Sequence, residues 1–204
     1  MMKLRRRELM ANQVVLPTGY EQLKYVYCSQ RKSLYKAGIA TGVLANDVLS
    51  VRTVFAWINP PIDRTPLMYT GATLDGQTLS TPYWYVCYGT NGSYDPANTS
   101  GVTLKNVSHS SDDEKGTVFF GFKSGSRAGC FKFGSWKDKT WSFDWKLYEL
   151  VLYDADGNEL FNAIPCLNSD KTPGVYDTVS KTFKQNINGV FGYETLDGTV
   201  VEPQ

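Results

Sequence analysis

The sequence predicts an all-β protein, a two-sheet antiparallel β-sandwich. Three observations point to it. Residues 145–193 alternate strand and turn signals at short intervals. The chain is rich in aromatic residues (14%), with 18 Gly and 9 Pro among 204 residues. Long helix-forming runs of Ala, Leu, Glu and Lys are missing, and that mixture favours pleated strands and tight turns over helices. A length of 204 residues fits one domain, because sandwiches of about 200–250 residues fold as single units, and 42% hydrophobic residues supply a core.

In chain order, residues 1–15 form a basic and then polar arm, and residues 16–204 form the sandwich domain. Strands are predicted at 21–27, at 50–58 (Val51, Val54, Phe55 and Trp57), and at 83–88, where Tyr85-Val86-Cys87-Tyr88 is aromatic and apolar. Further strands are predicted at 101–107, 117–123, 129–134 and 141–153. Leu147–Tyr153 carries aliphatic and aromatic side chains suited to a pleated surface. Asp154-Ala155-Asp156-Gly157-Asn158 then supplies residues that tolerate a tight reversal, and the chain returns through 159–164, with Leu160 and Phe161. After the polar stretch Asn168–Pro173 come short strands at Gly174–Asp177 and Thr182–Phe183, and a last one at 190–194. Short strands separated by Gly, Asn, Asp and Pro have the spacing of a sandwich or barrel.

One strand carries a change of phase. Apolar residues occupy odd positions from Trp141 to Trp145, whereas Tyr148, Leu150 and Leu152 form the better core set beyond it. A shift of phase flips the buried face, so a bulge or break is expected near Trp145–Leu147, bending the sheet or handing the chain to another one.

Composition excludes several function classes. A net charge of +1 provides no field to draw the chain to nucleic acid or an anionic membrane, and no run of about 18 apolar residues exists to span a bilayer. Lys3, Arg5, Arg6 and Arg7 imitate the start of a secretory leader, but Glu8–Gln13 is polar where an apolar stretch should follow. The four cysteines (28, 87, 130 and 166) form no CxxC pair, which argues against zinc. Their apolar neighbourhoods suit buried free thiols.

Both ends of the domain resemble a known family. Phe161-Asn162-Ala163-Ile164-Pro165-Cys166, Gly174-Val175-Tyr176-Asp177 through Thr182-Phe183, and Asn188-Gly189-Val190-Phe191 resemble the string "DFIPC…GLYDxVxxxFYxNxGxGxF". That string belongs to the concanavalin A-like (laminin G-like) jelly-roll proteins of phages and prophages of gut bacteria. Leu16-Pro17-Thr18-Gly19-Tyr20-Glu21-Gln22-Leu23-Lys24-Tyr25-Val26 resembles the "LPxGYxxLEYIxS" opening of the same family. The family's acidic residue before Gly38 is replaced by Ala37, so no role of that side chain carries over, and about 60–115 is not covered by the likeness. The resemblance implies a jelly roll and a non-enzymatic structural or accessory virion protein, such as a fibre, decoration or tail component. Such a protein is made in the bacterial cytoplasm and packaged in the virion with other virion proteins, as a homo-oligomer.

The fold also hosts glycosidases, which need two carboxylates about 5–9.5 Å apart, but no Glu-x-Asp-x-x-Glu string occurs. Asp112-Asp113-Glu114 sits in a polar run and reads as a solvated cluster. His109, the lone histidine, lacks a GxSxG elbow, so no catalytic residue is assigned. Asp154–Glu159 has oxygen ligands at alternate positions, but its glycine is in the fourth place and no glutamate stands in the twelfth, so it reads as a hairpin turn rather than a calcium loop. No metal or cofactor is expected. A carbohydrate-binding face recognising host cell-surface glycans is the alternative function, with Trp84, Asn91, Tyr94, Asp95 and Trp136 as candidates, because flat rings stack on sugars while Asn and Asp bond hydroxyls. Core packing is the competing account of Trp84. Lys3, Arg5, Arg6 and Arg7 are the candidate partner-docking residues, with a frayed terminus as the competing account.

Overall fold

A computed structural model describes residues 15–28, 38–59, 65–69, 85–88, 99–105, 116–122, 130–134, 144–187 and 189–203. Among these residues there is no helix, and fourteen strands form two antiparallel sheets. The small sheet has the order β2 (Gly38–Leu44), β8 (Cys130–Gly134), β4 (Thr65–Tyr69), β5 (Tyr85–Tyr88). The ten-stranded sheet runs β12 (Thr182–Gln185), β11 (Pro173–Asp177), β10 (Glu159–Leu167), β1 (Glu21–Cys28), β9 (Asp144–Tyr153), β3 (Ser50–Asn59), β7 (Gly116–Phe122), β6 (Thr99–Lys105). A terminal hairpin, β13 (Gly192–Thr195) and β14 (Val200–Val201), joins β1 outside that path.

The sheets face each other across one core, in the manner of a β-sandwich. Ile39, Phe131 and Phe133 of the small sheet meet Leu23, Val26, Val51, Phe55, Trp145, Leu147, Leu150 and Leu152 of the large one. Trp145 is the hub: its indole packs edge-on against Phe133 at 5.1 Å and Phe191 at 5.7 Å. Buried aromatics of this size each contribute about 2–3 kcal/mol through apolar area removed from water. Lys132, between Phe131 and Phe133 on β8, is also fully buried. Asn186 clasps the layers together, because its Oδ1 accepts the Gly38 N–H at 2.8 Å while Ile187 N–H donates to the Gly38 carbonyl at 3.0 Å.

The predicted irregularity in β9 is present, one residue beyond the expected segment. Val54 is opposite Glu149 and Phe55 is opposite Leu147, which leaves Tyr148 as the extra residue of a bulge. Trp145 and Leu147 face the core before it, and Leu150 and Leu152 after it. Tyr148 itself does not join them: it is half-buried and packs on Tyr25 outside the core, which corrects the expected core set. Thr53 Oγ1, fully buried, donates to the Glu149 carbonyl at 3.1 Å and satisfies an acceptor at the bulge. The bulge also marks a change of neighbour. Trp145–Leu147 pair with β1, and Leu150–Tyr153 pair with β10. Strand β1 therefore enters as a wedge where β9 and β10 part, its start on β10 and its end on β9.

Several expected boundaries move. The last strand begins at Gly192 rather than 190, and β10 runs on to Leu167. Strands β2, β4 and β14 are additions that the sequence reading lacked. The turn at 154–158 is the expected hairpin. Asp154 Oδ1 accepts the N–H groups of Asp156 and Asn158 at 2.9 and 2.8 Å, and Gly157 adopts φ +82°. Cys28 and Cys166 are buried free thiols, as expected, Cys130 is free but only half-buried, and the side chain of Cys87 lies outside the described residues.

Candidate functional site

The sequence-predicted sites lie outside the described residues: Trp84, Asn91, Tyr94, Asp95 and Trp136 of the sugar-binding reading, Lys3, Arg5, Arg6 and Arg7 of the arm, and also His109 and Asp112–Glu114. The strands that lead to them are described. Strands β5 and β8 both run antiparallel to β4, and Tyr85 and Lys132 both face Tyr69 across it. Tyr88 and Gly134, from which the chain continues toward Asn91–Asp95 and Trp136, are thus at one end of the small sheet. Tyr85, which follows Trp84, is at the other.

A second candidate surface is described, and the sequence reading missed it. Val26 and Cys28 of β1 point into the core, so Tyr25 and Tyr27 take the opposite face of the ten-stranded sheet, where both are buried by their neighbours, at 3% and 5% exposed, and Tyr148 and Tyr153 are the half-buried rings. A register shift between Leu23 and Tyr25 turns Lys24 to that face too. Rings of Tyr25 and Tyr27 meet at 6.0 Å and those of Tyr25 and Tyr148 at 5.2 Å, all edge-on. Lys146 Nζ stands 4.8 Å from the Tyr25 ring centre, a cation–π contact. Just before β1, Tyr20 packs edge-on against Tyr176 of β11 at 5.7 Å and Phe183 of β12 at 5.9 Å. The visible sequence signal was the Tyr-x-Tyr spacing at 25 and 27, which puts both rings on one face of a strand.

Charges on this face are tied in pairs. Glu194 pairs with Lys24, whose bond, with one from Tyr25, holds its carboxyl below the usual range. Arg52 pairs with Glu149. Asn162 Nδ2 donates to Glu159 Oε2 at 2.8 Å. Tyr153, beside Arg52, Glu149 and Glu159, has its hydroxyl pKa raised by burial; Arg52 opposes that and the two carboxylates reinforce it.

The acidic turns are structural. Asp177 accepts the N–H groups of Asn162 (2.9 Å), Val179 (3.1 Å) and Ser180 (3.2 Å). The Asn158 side-chain amide, bonded to Asp154, holds that carboxyl below its ordinary value, and the Thr195 hydroxyl does the same for Asp197. These carboxylates are acceptors for their own turns, which leaves them poorly placed to move protons or bind a cation. Among the described residues, no three His, Cys, Asp or Glu side chains group as metal ligands.

No family model, curated protein or solved structure matches this chain.

Proposed function

We propose that this chain is a non-enzymatic structural or accessory protein of a bacteriophage particle, a fibre, decoration or tail component, whose sandwich is an interaction module. The observation that carries the reading is the outer face of the ten-stranded sheet, where the half-buried Tyr148 and Tyr153 are open to a partner while the neighbouring charges are neutralised in place. Tyrosine supplies large rigid contact area with a polar tip and is enriched in protein interfaces, whereas a reaction centre needs groups left available to react. The likeness of residues 16–26 and 161–191 to concanavalin A-like jelly-roll proteins of phages supports the particle setting and a jelly-roll connection of the strands. In this reading the protein is made in the bacterial cytoplasm, assembles as a homo-oligomer and contacts other virion proteins.

Size-exclusion chromatography with light scattering, and mass spectrometry of purified virions from a producing culture, test it together. A trimer or larger species that co-purifies with particles is expected. A monomer absent from particles overturns the proposal.

A second reading, a carbohydrate-binding adhesion module for host surface glycans, is favoured by Tyr148 and Tyr153, half-buried rings, the latter beside Arg52, Glu149 and Glu159. A glycan array tests it with Trp84→Ala, Trp136→Ala and Tyr148→Ala. A true site loses about tenfold or more in affinity with at least one of the three. Binding of no glycan removes this reading.

A further inference from the structure

We draw no further inference here: the strongest candidate, the tyrosine-rich outer face of the ten-stranded sheet around Tyr25, Tyr148 and Tyr153, belongs to the site already described, and nothing in the structure shows what covers it.

Discussion

A single missing carbon lets the terminal hairpin dock. A Cβ built on Gly192 falls 2.3 Å from Tyr27 Cε1, 2.4 Å from Tyr27 Cζ and 2.8 Å from Pro203 Cδ, all well inside van der Waals contact. The ring has little room to swing away, since Tyr27 is only 5% exposed and its ring packs against that of Tyr25. Gly192→Ala therefore costs about 1–3 kcal/mol, the usual range for forcing extra atoms into a packed site, measurable by urea denaturation. In a Tyr27→Ala background the obstacle is gone, so the same substitution costs much less. Strict additivity of the two changes rules this account out. The rest of the Tyr27 side chain fits the picture of a plug. Its hydroxyl is buried without a hydrogen-bond acceptor of good geometry, and burial, with the neighbouring Glu202 carboxylate, raises its pKa.

At the level of the strand, the bulge at Tyr148 has its own support in Thr53. Thr53→Val keeps shape but withdraws the donor from the Glu149 carbonyl, and a loss of about 1–3 kcal/mol is expected for a polar group left unpaired. Thr53→Ser keeps the donor and loses only a methyl, so it is the milder change by chemical denaturation. Equal losses from both sink the idea. The bulge was legible in the sequence because Trp145 and Leu150–Leu152 demand opposite phases. Tyr148 was misjudged because tyrosine suits a core and an outer face equally, and only its neighbours decide. The same ambiguity hid Tyr25 and Tyr27, so the described candidate face was not read at all. Strands at 50–59, 116–122 and 130–134 could be read from their runs of Val, Phe and Trp. In Gly38–Leu44 the strand formers Ile39, Thr41 and Val43 alternate with glycine and alanine, which mask the signal, and the segment becomes a strand because β8 and Asn186 supply its partners. Thr65–Tyr69 contains Pro66, which argues against a strand; it is accommodated at a register shift between Pro66 and Met68.

For the molecule as a whole, the joint between the layers and the pH range of stability follow from groups already named. Asn186→Ala leaves the buried Gly38 N–H without its acceptor and is expected to cost about 1–3 kcal/mol, with faster amide exchange in β2 than in β9. Similar exchange in both strands argues against a local clasp. Acid acts through Asp154, Glu194 and Asp197. Their folded pKa values lie below the ordinary 3.8 and 4.5, so their contribution is present above those values and is lost as pH falls through the folded ones. Alkali acts through Cys166, pushed up from 9.0 to about 12 chiefly by burial, and through Tyr27, raised from 10.0. Those contributions are complete below 9 and 10 and decline as pH rises toward the folded values. Thermal melts across pH should show a plateau between the two limits, and Cys166→Ala should flatten the alkaline side; an unchanged alkaline slope contradicts the role of that thiol. The wedge position of β1 also imposes an order of events on synthesis. Strand β1, made before all of its partners, has to wait for Trp145, then Leu167, then Thr195 before its edges are filled. Pairings this distant in sequence make folding slow and leave an early strand unsatisfied in the nascent chain. A pause or truncation anywhere before residue 195 therefore exposes a tyrosine-bearing strand with an open edge, a ready template for aggregation or for capture by a chaperone.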